Sequence, residues 1–245
     1  MTTNENWPSP IDDLIATLNP DHPVREVRIG AYWTAVWSRR LGLASALRDE
    51  CPGHPTRPVE QAGHLTEKSA LELCQLAHSD SLLETSIGLA AINSMLPEVQ
   101  GEELNAEQLI VQKGTGKRIA IIGHFPFVSR IKDLAKALWV LEKRLQPGDL
   151  PESMADRIFP QADVVAISAT TLINRTLSGI LQRCRQDSFR IMLGATTPLS
   201  PVLLDNGLDA LCGVHITDPR MVLRHIQEGA IFRQVKGVRL VCMRR

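Results

Sequence analysis

The chain has 245 residues, 44% hydrophobic and 22% charged, with 27 Lys plus Arg against 27 Asp plus Glu. That balance lacks the basic footprint of a nucleic-acid binder, and no apolar run approaches the ~20 residues of a membrane-spanning helix. Without a charged-then-apolar leader pattern in MTTNENWPSP, the expectation is a cytoplasmic protein, able to form one large domain or two small ones.

Ile11, Leu14, Ile15 and Leu18 share one face of a helix, with Ser9 as candidate N-cap, Pro10 in the first turn and Asn19-Pro20 as its end. The period then changes. Apolar and charged residues alternate in Val27-Arg28-Ile29. Tyr32 to Trp37 is β-branched or aromatic, with Trp33, Ala35 and Trp37 on one side. With Leu41 to Leu47 as a third strand, the reading is an antiparallel meander. Cys51 to Pro58 reads as a loop. Thr66 is placed as cap of a helix continuing over Ser69 to Ala77. Ser81 is placed as cap of another, with Glu84 at the capping-box position and Pro97 ending it after Leu96. In that helix Gly88, Ala90 and Ala91 permit close packing.

The polar segment Pro97 to Glu103 contains Gly101 and marks the boundary, dividing the chain into units 1–100 and 101–245. Asn105, with Gln108 three residues on, caps a helix to Lys113. Strands and helices alternate from there. The strands are Arg118–Ile122, Ala137–Leu141, Asp163–Ser168, Arg190–Leu193 and Asp209–Gly213. The helices are Ser129–Lys136, Ser153–Phe159, Leu172–Arg185, Pro201–Asn206 and Pro219–Glu228. Lys236 to Val241 adds an edge strand. The fold class is α/β: a doubly wound parallel sheet preceded by a small α+β unit.

The chemistry gathers where the parallel strands end, because open α/β sheets bind ligands at their carboxyl edge. The segments there are Gly123-His124-Phe125-Pro126, Glu142, Thr170 to Asn174, Gly194 to Pro198, and Val214 to Pro219. Glu142 lies where dinucleotide-binding sheets place the acid that holds a ribose, yet the phosphate-binding GxGxxG is absent. It is either a ribose ligand or a solvated strand-end charge. His124 and His215, with Asp218, offer a partial transition-metal set, or else are hydrogen-bonding loop residues. Thr171, Asn174 and Thr196 are anion-binding or capping candidates. Cys74 and His78, four apart, are a soft-metal pair or a core thiol beside a helix-end cation. With five cysteines and no CxxC, the expectation is reduced thiols. No GxSxG, HExxH or P-loop appears.

Several segments together resemble one family: Trp33-Thr34-Ala35-Val36, Gly88 to Asn93, Gly123-His124-Phe125-Pro126-Phe127, Pro147-Gly148-Asp149-Leu150-Pro151, Thr170 to Asn174, and Asn206-Gly207. In order and spacing the chain is similar to the bacterial and archaeal family described as "putative heavy-metal chelation". The resemblance implies an enolase-N-terminal-like unit, a Rossmann-like unit and a site between them. It brings Asn93, His124, Thr171 and Asn174 towards one cleft, with Trp33, Thr34, Gly123, Phe125 and Pro126 as further lining. Arg175 departs from the pattern, where a small residue such as Gly is expected, and could narrow that cleft. No cysteine cluster suits thiolate chelation, so chelation would concern a small-molecule chelator.

Three readings follow. The first is a protein that handles a metal, a metal chelate or a small ligand between the units, as an enzyme or otherwise. The second is an enzyme using a ribose-bearing cofactor such as S-adenosylmethionine. The third is a scaffold that forms a homodimer through the aromatic face of the meander. None involves nucleic acid or membrane.

Overall fold

The computed structural model describes residues 10–48, 57–98 and 101–245. Ser9, Cys51 and His54 lie outside them, as does most of the loop read over Cys51 to Pro58.

Helix α1 (Pro10–Ala16) precedes β1 (Glu26–Ile29), β2 (Trp33–Trp37) and β3 (Leu41–Ser45), which pair antiparallel in that order. Next is α2 (Ala70–Cys74), whose cap is Ser69 and not Thr66. Ser69 Oγ accepts the Glu72 N–H at 3.2 Å and Glu72 accepts the Ser69 N–H at 2.7 Å, a complete capping box one turn later than read. In α3 (Leu82–Met95) Ser81 caps as expected. Its Glu84, however, accepts the Glu60 N–H at 2.7 Å and the Ser79 hydroxyl at 2.5 Å, and so ties down the preceding loops. Close packing of α3 is literal. A Cβ on Gly88 would lie 2.1 Å from Ala77 N, and one on Gly42 2.1 Å from Ala90 O, so β3 rests directly on the α3 backbone.

Helix α4 (Ala106–Gly114) carries the Asn105–Gln108 capping box. The second sheet then builds up: β4 (Arg118–Ile122), α5 (Val128–Lys132), β5 (Ala137–Leu141), α6 (Ala155–Ile158), β6 (Val164–Ser168), α7 (Thr170–Ile173), α8 (Leu177–Arg183), β7 (Phe189–Leu193), α9 (Pro201–Asp205), β8 (Ala210–Ile216), α10 (Pro219–Gln227) and β9 (Val238–Arg244). Strand order is β5-β4-β6-β7-β8-β9, parallel except for antiparallel β9. The α/β class stands as read. The single helix expected over Leu172–Arg185 is instead two, α7 and α8. Arg175 has φ +57°, and Asn174 Oδ1 accepts from Thr176 N and Oγ1 at 3.3 and 2.7 Å. That left-handed residue with its local side-chain turn breaks the helix.

Alternate residues of each parallel strand feed different cores. Ile119 and Ile121 pack with Leu109, Ile110 and Ile131 of the α4 and α5 face. Ala120, Val165, Ile167 and Met192 instead join Leu14, Leu73, Ile87 and Ile92 of α1, α2 and α3 in one cluster. The aromatic face of the meander is covered within the chain: Trp33, Ala35 and Trp37 pack with Val222, Leu223 and Ile226 of α10. The homodimer reading loses that face as its support. No helix among the described residues is long and apolar enough to cross a membrane.

The expectation of five reduced thiols is corrected. Cys212 on β8 and Cys242 on β9 are cross-strand partners, Cα atoms 4.2 Å apart, and are joined as a disulfide. Their 30-residue separation hid a pairing that only the antiparallel return of β9 creates. Cys74 and Cys184 are free, and burial pushes their thiols up to about 12 and about 11.

Candidate functional site

Two clefts open at the carboxyl ends of β7 and β8. The first, about 490 Å³, takes Trp37 from β2, Arg39 and Arg40 from the β2–β3 turn, Asn93 and Glu98 from the end of α3 and beyond, and Thr197, His215 and Thr217 from the ends of β7 and β8 and the loops that follow. The second, about 500 Å³, is apolar, with Trp33, Phe125, Phe127, Leu193, Cys212 and Phe232 in its wall and Arg233 among its few charges. Ala195 and Val214 line both, so the clefts are neighbours. Rings pair in the second wall: Trp33 with Phe232 at 5.6 Å and Phe125 with Phe127 at 5.3 Å between centroids.

Asn93 joins the two sheets. Its Nδ2 donates to Leu43 O on β3 at 2.8 Å and to Thr196 O beyond β7 at 2.9 Å. Thr196 Oγ1 accepts the Ser45 N–H at 2.9 Å, closing the same junction. Asn93 and Thr196 thus set the spacing of the cleft walls, and both were singled out from sequence. His215 Nε2 lies 3.5 Å from Glu98 Oε1. Arg40 Nη2 donates to Leu96 O at 2.5 Å and Pro97 O at 2.8 Å. Burial draws the Arg40 pKa below its usual value, Glu98 opposes this, and Arg39 adds to the lowering. Four buried polar atoms of these walls and their strand have no partner among the described residues: Arg40 Nε, Thr197 Oγ1, Trp33 Nε1 and Thr34 Oγ1.

At the exit of β4 the arrangement differs. Gly123 has φ +95°, and a Cβ there would sit 3.2 Å from Ser168 Cβ, so the turn admits only glycine comfortably. The His124 N–H donates to Glu142 Oε2 at 3.1 Å, and His124 Nδ1 lies 3.3 Å from Asp149 Oδ1. The other Glu142 oxygen accepts the Lys143 N–H at 2.7 Å, and Asp149 Oδ2 accepts the Gln146 N–H at 3.0 Å. Two conspicuous loops, GHFPF and PGDLP, are therefore stitched to each other. Thr171 donates to Ser168 O at 2.7 Å, and Asn174 holds Thr176. Arg175 does not narrow a cleft. It reaches to the segment just before α3, donating to Ser79 O at 2.6 Å and facing Asp80 at 3.7 Å.

The structure thus brings Asn93 and His215 to one cleft, with Thr196 buried just behind its wall and Trp33, Phe125 and Pro126 at its neighbour. His124, Glu142, Thr171 and Asn174 line neither. Asp218 caps α10, accepting the Met221 N–H at 3.0 Å. Cys74 is fully buried and His78 Nε2 faces Asp12 at 3.2 Å, so that pair does not converge. Sequence reading missed Arg39, Arg40 and Glu98. Its one usable signal was Ser38-Arg39-Arg40, a basic pair in a turn between two apolar strands.

A metal would be cargo for such a protein, and its fit can be tested on the donor set. Among the described residues, no three His, Cys, Asp or Glu side chains group closely enough to hold an ion. These side chains do not fit a bare-ion centre.

Two family models, each described as "putative heavy-metal chelation", match residues 11–96 and 105–242. The chain belongs to the family so described. An uncharacterized protein of Methanocaldococcus jannaschii is 29% identical over 208 residues, covering 81% of this chain and 79% of that protein. Among solved structures, a protein of unknown function from Desulfitobacterium hafniense DCB-2 superposes with a TM-score of 0.83 at 23% identity, over 96% of this chain and 97% of that one. Another, from Pyrococcus horikoshii, gives 0.80 at 24% identity over 97% and 99%. Both are titled as members of the family matched by residues 105–242. At that identity the likeness is one of fold.

Proposed function

We propose that the protein handles a small organic chelator, or the metal chelate it forms, in the clefts where units 1–100 and 101–245 meet. Asn93 carries this reading: one amide, from the first unit, spans the Leu43 and Thr196 carbonyls at a cleft walled by both units. Such a concave site, with an apolar chamber beside a polar one, suits an organic molecule better than a naked ion. In this reading Asn93 and Thr196 space the walls, His215 offers a polar contact, and Trp33, Phe125 and Pro126 form the apolar floor. His124, Glu142, Thr171 and Asn174 hold the adjoining loops.

Native mass spectrometry of freshly purified protein, with Ni²⁺ added alone or together with citrate, tests it. Metal should be retained only in the presence of the chelator, or a co-purified organic mass should appear. Stoichiometric Ni²⁺ without chelator, lost in His124→Ala, would instead make the protein's own side chains the chelator.

A second reading, a ribose-bearing cofactor such as S-adenosylmethionine, is favoured by the place of Glu142 at the end of β5, beside the β4–β6 point where strand order reverses. It requires Glu142 to release the amides of His124 and Lys143. Titration of S-adenosylmethionine into wild type and Glu142→Ala decides it, since equal affinities would remove the carboxylate from that role.

A further inference from the structure

Resting on the cleft as the ligand site, the polar atoms of the first cleft define what end of a ligand it takes. Its charged lining residues are Arg39, Arg40, Glu98 and His215. Glu98 has 65% of its side chain exposed and stands against His215. Neither arginine forms an ion pair among the described residues. Arg39 is exposed at the cleft and makes no side-chain hydrogen bond among the described residues. Arg40 gives Nη2 to two backbone carbonyls, which carry no charge to balance it, while its Nε is buried without an acceptor. Thr197, 4% exposed, lines the same cleft, and its hydroxyl has no partner.

Two guanidinium groups side by side repel each other, and Glu98, largely exposed and standing against His215, offsets this only in part. Buried donors without acceptors are costly, so such a cluster persists where something else supplies the acceptors. A cation does not fit: the one lining carboxylate is outnumbered by two arginines. An oxyanion does. Its oxygens accept charge-assisted hydrogen bonds from guanidinium forks and from a hydroxyl at once.

We propose that the first cleft binds the oxyanion end of its ligand, a carboxylate or a phosphate, between Arg39, Arg40 and the Thr197 hydroxyl. A carboxylate is the group that small metal chelators most simply present, which joins this inference to the reading above. A phosphate would direct attention to a nucleotide-like ligand.

Isothermal titration of the full chain with citrate and, separately, with inorganic phosphate tests the inference, using wild type, Arg39→Gln and Thr197→Val. At least one anion should bind wild type, more weakly as salt is raised, and the tighter of the two identifies the oxyanion. Each substitution should weaken binding by about tenfold, the scale of one hydrogen bond to a charged group. The melting temperature of Thr197→Val should hold or rise, because an unpaired hydroxyl is removed. Should Thr197→Val fail to fold, Arg39→Gln, at an exposed position, decides alone. No binding of either anion, or equal affinity in wild type and the variants, overturns the inference. Neutral 8-hydroxyquinoline separates the two claims. If it binds while both anions do not, the cleft stands and the oxyanion falls; if none of the three binds, both fall.

Discussion

Two stretches of the same sheet edge treat their polar groups in opposite ways. At the exits of β4, β5 and β6, the polar side chains singled out are occupied: His124 with Asp149, Glu142 with two amides, Thr171 with Ser168 O, Asn174 with Thr176. At the exits of β7 and β8, Thr197 Oγ1, and Arg40 Nε in the same cleft wall, have no partner among the described residues, and the cleft they line measures about 490 Å³. Satisfied groups at a strand end hold loops in place. Unsatisfied ones beside a cavity are available to a ligand. The conspicuous residues of the sequence belong mainly to the first kind and the ligand-facing ones to the second.

The frame behind the open stretch should be the least tolerant of change. Gly42→Ala puts a Cβ 2.1 Å from Ala90 O and 2.3 Å from Ser94 N, both backbone atoms that cannot step aside. Its cost should reach or exceed ~3 kcal/mol, the upper end of ordinary overpacking, in urea unfolding. A loss below ~1 kcal/mol would mean that β3 slides on α3 and that the cleft wall is soft.

Asp163, on the opposite edge of the sheet, is an extreme of the satisfied kind. It accepts from Arg118 Nε at 3.0 Å, Arg118 Nη2 at 2.9 Å and the Arg118 amide at 2.9 Å, with Arg185 at 3.2 Å. These bonds, led by the Arg118 side chain, hold its carboxyl well below the usual carboxylate range. A depressed folded pKa contributes stability that is present above the unfolded pKa and is lost as pH falls through the folded one. Asp163→Asn should therefore cost ~1.5–3 kcal/mol at neutral pH, and the gap to wild type should begin to close only below about pH 4. A gap that does not change between pH 7 and pH 2 would deny the charge its role.

His124→Ala makes the sharpest contrast with the open stretch. It should lower stability by ~1 kcal/mol through the lost Asp149 contact, with citrate affinity within twofold of wild type. A tenfold loss of affinity with unchanged melting temperature would move the site to the β4 exit. The smallest effect concerns the thiols. Cys74 and Cys184, pushed up to about 12 and about 11, are almost wholly protonated at neutral pH. Neither should be alkylated by iodoacetamide in the native protein, as read by peptide mass spectrometry, and both should be once it is unfolded.

Much of the architecture was legible in the sequence because it rests on local signals. Ile119-Ala120-Ile121-Ile122 reads as a buried strand because both of its faces meet apolar cores, and the caps at Ser81 and Asn105 depend on residues three positions apart. The break at Asn174–Arg175 was half legible: a position where glycine is expected is occupied by an arginine at φ +57°. The Cys212–Cys242 pair was not, since it depends on the direction of β9. The site divides the same way. Asn93 was found through its motif, but the value of Arg39, Arg40 and Thr197 lies in partners they lack, and a missing partner has no spacing to read.

The most direct measurement is amide hydrogen exchange, read by mass spectrometry, of the full chain with and without saturating Ni²⁺–citrate. Protection is expected over 39–43, 93–98, 195–199 and 214–219, with little change over 142–150 and 170–176. Protection confined to those last two stretches would contradict the account and place the ligand at the exits of β5 and β6.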